Sequence, residues 1–437
     1  MVAKLADAIP LSFPRGMDNR TSINTLSKGA ARLIQNADVM TGGNIRYPRP
    51  GYTPVVGASG GHSLWTWPAY PWALYNAAGS LLGINKGNKS IATITTGLDA
   101  DQAIAYTAFA GRAYWSNGET MGYVNADGVN KLWGIDPPPA PILAAASGSP
   151  ALDAGRYIVA FTVSYNGGTE ESAASNSTLI TLSSAGTITV SPIPTHPDID
   201  YINIYCSSTN APDGDQLYYI GRVANGESTF EITKTDELRP LKTQHMARFP
   251  ACSFLCSFKR HILGILGHEI VWSNPEQAGS IWDPKHARIK FAERPTFIAP
   301  VDDGVYVGTA SETYWLSGTD PRAWQKLRIA QDGIIPQPCV CWLPNDTFAG
   351  EQIPTIGPAV PWATTDGEIV VGRSGGFIQS VAPRLAVQNH ASARFQFFER
   401  DALRQLIVTL YQPLGNNPRL SPDITPSTVH QYGITIT

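Results

Sequence analysis

Cysteine and histidine side chains are the residues of this chain that could coordinate a metal ion. They form Cys252-x-x-x-Cys256 and Cys339-x-Cys341, with His245, His261 and His268 nearby in sequence. A structural zinc site takes four such ligands, usually in two pairs with gaps of about two to four residues. The second pair is too closely spaced, and its apolar surroundings predict a strand. We therefore predict buried, reduced thiols rather than a metal site.

Carboxylate pairs are the second candidate, because glycoside hydrolysis needs two acidic side chains flanking one bond. The pairs are Asp302-Asp303, Glu170-Glu171 and Asp99 with Asp101. The first is interpreted as a hairpin turn, since Asp303-Gly304 is a strong signal for a turn with positive φ at both central positions. Glu170-Glu171 is interpreted as a solvated loop. Residues 317–324 are similar to the Asp-box of sialidase propellers but misplace the Asp and lack the Gly. We predict no catalytic residue.

Cofactor-binding signals are also missing from the sequence. It has no Walker-type phosphate loop and no dinucleotide fingerprint. The glycine-rich stretch 57–61 is interpreted as a flexible turn. Five aromatic residues follow it and could stack on sugar rings, but we predict that they pack in a core or between subunits. They are Trp65, Trp67, Tyr70, Trp72 and Tyr75.

The composition indicates many short strands and few exposed charges. The 437 residues include 40 Gly and 34 Pro, and only 15% are charged. So little charge suggests a surface covered partly by other proteins. A net charge of −3 disfavours a DNA-gripping protein, although DNA could slide past it. We expect no signal peptide and no membrane-spanning segment, and the odd number of cysteines indicates reduced thiols in the cytoplasm.

Short units of two or three strands joined by tight turns recur along the chain. Four or five such units are recognisable, at 105–124, 257–274, 296–317, 360–380 and 394–411, in addition to an N-terminal one around 65–84. Helical periodicity is scarce, with candidates only at 28–35 and around 100–105. Repeated meanders of this size are typical of a β-propeller, and an assembly of β-sandwiches is the alternative.

A segment of different texture interrupts the repeats. Proline-rich 136–141 is predicted to be a stiff linker, and six strand-like stretches follow over about one hundred residues. They predict a fibronectin III-like β-sandwich. The predicted domains are therefore residues 1–136 (N-terminal strap and first blades), 137–236 (inserted sandwich) and 237–437 (remaining blades and C-terminal arm). The predicted fold class is all-β: a degenerate β-propeller with an inserted fibronectin III-like β-sandwich.

The N-terminal strap, residues 16–52, carries the most informative motif. It reads GMDNRTSINTLSKGAARLIQNADVMTGGNIRYPRPGY. The Asp-Asn-Arg turn, the Ala-Arg segment, the Asn-x-Asp, the Gly turn and the Arg-Pro-Gly-Tyr ending resemble, in this order, the N-terminal signature of the β-propeller tail nozzle proteins of short-tailed bacteriophages. We expect Asp18, Asn19, Arg20 and the basic segment 46–49 to fix a subunit in a ring rather than to form an active site.

The resemblance implies a structural virion protein without enzymatic activity. It would form the tail nozzle ring, of six copies, that extends the DNA-ejection channel below the portal and adaptor. Its partners would be further copies of itself, the adaptor and portal, possible tail fibres, and genomic DNA passing without specific binding. It would reside in the virion tail after assembly in the host cytoplasm. Two alternatives stay open: a receptor- or carbohydrate-binding propeller, and a propeller glycosidase.

Overall fold

The structure is a computed structural model. It describes residues 15, 17–21, 25–31, 38–39, 45–46, 61–146, 149, 152–235, 238–275, 279–345, 357–382, 385–387, 390–400, 403–413 and 429–435. These residues form strands and two short 3-10 turns, with no α-helix and hence no helix able to cross a membrane. The predicted helix at 28–35 is wrong where it is described, since residues 28–31 form a turn and Ala31 bridges to Met17. The candidate at 100–105 is a bend that leads into a strand.

Two four-stranded sheets precede the inserted segment. A two-stranded ribbon, β1 (Asp38–Val39) and β2 (Ile45–Arg46), lies before them. Blade 1 comprises β3 (His62–Thr66), β4 (Trp72–Ala77), β5 (Ser80–Asn85) and β6 (Ile91–Thr95). Blade 2 comprises β7 (Ala105–Phe109), β8 (Arg112–Ser116), β9 (Met121–Val124) and β10 (Asn130–Lys131).

The inserted segment forms two sheets of its own around a separate core. One sheet contains β11 (Leu143–Ala146), β15 (Thr187–Val190) and β18 (Phe230–Ile232). The other contains β12 (Gly155–Tyr165), β13 (Glu170–Glu171), β14 (Thr178–Leu182), β16 (Ile199–Cys206) and β17 (Tyr218–Ala224). Buried side chains from both sheets, such as Phe161, Ile188 and Ile204, pack in one cluster. The insertion is therefore a β-sandwich.

Four further sheets follow the sandwich, beside a ribbon of β19 (Ala247–Arg248) and β23 (Ile281–Trp282). Blade 3 comprises β20 (Leu255–Phe258), β21 (His261–Leu266), β22 (Glu269–Trp272) and β24 (Arg288–Lys290). Blade 4 comprises β25 (Phe297–Val301), β26 (Gly304–Gly308), β27 (Thr313–Ser317) and β28 (Gln325–Ala330). Blade 5 comprises β29 (Val360–Ala363), β30 (Ile369–Arg373) and β31 (Phe377–Ser380). Blade 6 comprises β32 (His390–Arg400), β33 (Leu403–Pro413) and β34 (Val429–Thr435).

The first strands of blades 2 to 6 lie next to one another, as in a propeller. The first strand of blade 2 contacts that of blade 3, and the same contact repeats from blade 3 to 4, from 4 to 5 and from 5 to 6. Trp65 of blade 1 stacks on Tyr106 of blade 2 with ring centroids 5.7 Å apart. Strands β25, β26, β29 and β30 are buried at every position, because neighbouring blades cover both faces of each sheet. The predicted all-β propeller with an inserted sandwich is confirmed.

Two tight turns in the first blades have the backbone geometry that suits a two-residue hairpin. Ala78-Gly79 joins β4 to β5 and Ala110-Gly111 joins β7 to β8, with positive φ at all four residues. This geometry matches the right-handed twist of the paired strands. The hairpin turn predicted at Asp302-Asp303 is confirmed, since Gly304 already pairs with Val301. The positive φ predicted at Asp303-Gly304 is wrong. A Cβ on Gly304 would lie 2.4 Å from the Trp315 ring, so glycine is needed there for space.

The described start of the strap lies against blades 5 and 6. Met17 packs on their shared hydrophobic cluster. Asn19 forms two hydrogen bonds with the backbone of Ala386: its Nδ2 donates to the carbonyl at 2.8 Å and its Oδ1 accepts from the amide at 2.7 Å. Arg20 pairs with Glu368 of blade 5 at 3.4 Å. The strap thus joins the N-terminal end of the propeller to its last two blades.

Candidate functional site

Glu170 and Glu171 stand at the junction between the sandwich and blade 2. They form β13, which pairs with the end of β12 so that Tyr165 opposes Glu170 and Ser164 opposes Glu171. Glu170 is buried, with 4% of its surface exposed, and Glu171 is half-buried. The predicted solvated loop is therefore wrong at both residues. Because successive side chains of a strand point to opposite faces, the two carboxylates face different partners.

Glu170 contacts the propeller. Its Oε1 accepts a hydrogen bond from Arg112 Nη1 at 2.6 Å and from the Tyr123 hydroxyl at 3.3 Å. The Arg112 guanidinium also lies over the Tyr123 ring, 4.4 Å from its centroid. Arg112 is on β8 and Tyr123 on β9, so one sandwich carboxylate holds two strands of blade 2. We call this contact the Arg112–Glu170 junction.

The electrostatics of the junction follow from burial and from this pairing. Burial alone would lower the pKa of Arg112, but Tyr114 and the bond and charge of Glu170 raise it, so its net pKa lies above the ordinary value. Burial raises the pKa of Tyr114 to about 12. It also raises the pKa of Tyr123, with the charge of Glu170 adding to the effect. Arg112 is therefore charged and the tyrosines are neutral at physiological pH.

Glu171 is used inside the sandwich. It accepts hydrogen bonds from the Thr162 hydroxyl, from the Tyr205 hydroxyl at 2.7 Å and from Asn203 Nδ2 at 3.1 Å. These partners lie on β12 and β16, which Glu171 therefore joins. A glycosidase needs both carboxylates on one sugar, which two opposite faces of a strand do not provide. Glu170 fixes the sandwich against blade 2, and Glu171 joins strands inside the sandwich. The two glutamates resemble a catalytic acid pair only because they are adjacent in sequence.

Alkaline pH is expected to destabilise the junction. The folded state holds Tyr114, Tyr123 and Tyr165 with raised pKa values, mainly because of burial. Their contribution is complete below the unfolded tyrosine pKa of about 10 and is lost as pH rises from there through the folded values. The slope is about 1.4 kcal/mol per pH unit for each tyrosine. Melting temperatures should be steady up to about pH 9 and fall from about pH 10 to about pH 12, less steeply in Tyr114→Phe. An equal slope in that variant would contradict the assignment to Tyr114.

The cysteines and histidines predicted from sequence do not converge. Cys252 and Cys256 are buried in blade 3, where burial raises the pKa of both thiols. Cys339-x-Cys341 is not in a strand, so that part of the prediction is wrong; Cys339 packs beside the aromatic cluster of blades 1 and 2. His261 and His268 bind separate backbone carbonyls through Nδ1. In the part of the chain that the structure describes, no three His, Cys, Asp or Glu side chains are grouped to hold a metal ion.

The remaining acidic residues and the Asp-box-like segment form hydrogen bonds that stabilise turns and bends. Asp303 Oδ2 accepts a hydrogen bond from the Gly375 amide at 2.8 Å, so the turn links blades 4 and 5. Asp99 Oδ1 accepts one from the amide of Asp101 in an exposed bend. In the Asp-box-like segment, Asp320 caps a 3-10 turn, and Trp324 Nε1 donates to the Gly318 carbonyl at 2.9 Å.

The aromatic residues of blade 1 are mostly core. Trp65, Tyr70, Trp72 and Tyr75 are buried, as predicted, and Trp67 packs edge-on against Trp342 at 5.3 Å. Residues 57–60 of the glycine-rich stretch lie outside the described residues, as do the side chains of 46–49. In the strap, Asn19 and Arg20 contact their own chain. Contacts of the strap with neighbouring subunits stay a prediction.

Comparisons with known proteins concern the fold alone. No family model matches the chain, and no curated protein matches it. Among solved structures, it is similar to BBS1N in complex with ARL6DN, with 9% identity, coverage of 80% of this chain and 88% of that chain, and a TM-score of 0.32. Apo AztD from Citrobacter koseri is 12% identical, with coverage of 73% of this chain and 84% of that chain and a TM-score of 0.27. Hsv2 from Kluyveromyces lactis is 8% identical, with coverage of 84% of this chain and 94% of that chain and a TM-score of 0.28.

These neighbours are β-propeller proteins. Their TM-scores are too low to carry an argument about what this chain does, and the strand order described above defines its fold.

Proposed function

We propose that this chain is a structural subunit of a bacteriophage tail, forming the nozzle ring that extends the DNA-ejection channel below the portal and adaptor. The observation that carries the proposal is the ordered motif at 16–52, with its resemblance to the propeller-type tail nozzle proteins. Six copies, tail fibres as further contacts, residence in the virion tail and the absence of catalysis belong to the same proposal.

The Arg112–Glu170 junction is consistent with a rigid structural subunit. A subunit that lines a channel under passage of DNA needs its parts in one fixed orientation. Here Arg112 and Tyr123 hold Glu170 of the sandwich, and Asn166 Nδ2 donates to the Leu132 carbonyl at 3.2 Å beside them. Such charge-assisted contacts specify geometry as well as adding stability.

The surface supports contacts with neighbouring copies. Large apolar side chains are exposed on strands or turns of four blades: Leu64, Ile91, Val129, Leu327 and Phe377. A ring with cyclic symmetry places two different surfaces of each subunit in contact, which would cover such side chains. The low charge content of 15% is consistent with a chain that shares much of its surface.

Electron microscopy of the purified full-length chain tests the proposal. We expect closed rings, either with the chain alone or after addition of the tail adaptor. Deleting residues 1–50 should reduce ring formation at least about tenfold, an effect of the size expected when contacts worth about 1.4 kcal/mol are lost. Hydrogen exchange in β12 and β16 should be unchanged, because these strands belong to the sandwich core.

Asn19→Ala provides the matched variant, since it removes only the two hydrogen bonds to Ala386. Its rings should form more readily than those of the deletion. A chain that stays monomeric and has no affinity for the adaptor would rule out the nozzle role. Tight receptor or glycan binding by that monomer would then favour a recognition propeller.

A further inference from the structure

A cleft of about 350 Å³ lies where blade 3 meets blade 4. Its walls come from the ends of β21 and β22, from the loop 283–287 and from the 3-10 turn Pro321–Ala323. A cleft of this size is at the lower end of small-molecule sites in proteins. The groups that give it chemical character are His261, Trp272, Asp283, His286 and Arg322.

The two histidines present defined ring nitrogens. His261 Nδ1 lies 2.6 Å from the Ser273 carbonyl, and His286 Nδ1 lies 2.8 Å from Asp283 Oδ2. A carbonyl and a carboxylate only accept hydrogen bonds, so each Nδ1 carries the proton. Among the described residues, no bond engages either Nε2. Burial lowers the pKa of His261, so its Nε2 offers a lone pair to a hydroxyl donor.

Arg322 supplies the positive charge. Its backbone amide donates a hydrogen bond to Asp320 Oδ1 at 3.0 Å, and its guanidinium has no hydrogen-bond or ion-pair partner among the described residues. Asp283 does not compete for it, because that carboxylate accepts hydrogen bonds from the Lys285 amide, the His286 amide and the His286 ring. An unpaired guanidinium at the mouth of a cleft suits a planar carboxylate, which it can bind with two parallel hydrogen bonds.

The remaining wall is apolar. Trp272 packs edge-on against Trp324, with ring centroids 5.6 Å apart, and Met246 and Ala287 lie beside it. An apolar wall opposite a few convergent polar groups is the usual composition of a site for a small ligand. The apolar wall, His261 Nε2 and the Arg322 guanidinium together would bind a ligand with an apolar face, hydroxyl donors and one carboxylate.

We propose that this cleft binds a carboxylate-bearing sugar of monosaccharide size, with its carboxylate on Arg322 and a hydroxyl on His261 Nε2. The binding site is separate from the Arg112–Glu170 junction and does not depend on ring formation. It would give a structural subunit a point of contact with an acidic polysaccharide.

Glucuronate is the probe, with glucose and acetate as comparison ligands, in isothermal titration of the full-length chain. We expect glucuronate to bind in the millimolar range. Glucose, which lacks the carboxylate, and acetate, which lacks the hydroxyls, should bind at least about tenfold more weakly. Arg322→Gln should weaken glucuronate binding at least about tenfold. Its melting temperature should not change, because the side chain is exposed and has no described partner.

Arg294→Gln is the matched control, because Arg294 is an exposed arginine that bonds Ser253 outside the cleft. It should bind glucuronate as the unmodified chain does. No binding by the unmodified chain, equal binding of glucose and glucuronate, or unchanged binding in Arg322→Gln would each overturn the proposal. None of these outcomes bears on ring formation, which microscopy measures independently.

Discussion

Glu170→Ala is expected to lower the free energy of unfolding by about 3 kcal/mol. The substitution leaves the Arg112 guanidinium, which is 28% exposed, without its carboxylate and the Tyr123 hydroxyl without its acceptor. Water can hydrate a half-buried charge only in part once its partner is removed. The free-energy cost of the unpaired charge therefore exceeds the stabilisation that the intact pair provides. Urea unfolding monitored by far-ultraviolet circular dichroism measures the change.

Two variants give this measurement its controls. Glu119→Ala removes an exposed carboxylate of the same blade and should cost less than about 0.5 kcal/mol. The double variant Arg112→Met with Glu170→Met should recover most of the loss, because apolar side chains of similar volume replace both charges. If Glu170→Ala and Glu119→Ala were equally stable, the junction would not hold the sandwich as we describe.

Trp362→Ala is expected to have the larger effect, about 3–5 kcal/mol. Trp362 is fully buried on β29, with its ring centroid 5.0 Å from Tyr306 and 6.1 Å from Phe297 of blade 4. It also covers Gly372, where a Cβ would lie 2.5 Å from its ring. Removing the indole opens a cavity between two blades that close-packed neighbours cannot fill without moving whole sheets.

Thermal unfolding of this variant is best compared with that of Phe377→Ala. Phe377 is an aromatic residue of the same blade but is 55% exposed, so its loss should cost less than about 1 kcal/mol. Trp362→Phe should fall between the two, since it keeps an aromatic ring in the contact. Equal melting temperatures for Trp362→Ala and Phe377→Ala would contradict the packing between blades 4 and 5.

The strands of the blades were largely predictable because their pattern is local. β7 (Ala105–Phe109) begins the unit predicted at 105–124, β21 (His261–Leu266) lies inside the unit predicted at 257–274, and the sandwich follows the proline-rich linker. Periodicity reports which face of a strand is buried, and turn residues mark its ends. The domain bounds 1–136, 137–236 and 237–437 stay predictions.

The sites were not predictable, because their members are distant in sequence. Arg112 lies 58 residues before Glu170, and neither has a local pattern that reveals the other. Two adjacent glutamates suggest a solvated loop unless the partner is known. His261 and Arg322 likewise line one cleft only because blades 3 and 4 are neighbours. At Gly304 the error was of another kind, since the glycine serves the packing of Trp315 and not the turn.

The docking of the strap also sets an order of events during synthesis. Asn19 and Ala386 are 367 positions apart. At about 5 to 20 residues per second, the ribosome needs roughly 20 to 70 s to make the partner after the strap has emerged. The blades in between can form first, and Asn19 can bind Ala386 only in a chain that has been translated past residue 386. A chain terminated before residue 386 cannot form the two hydrogen bonds of Asn19, so they distinguish such truncated chains from longer ones.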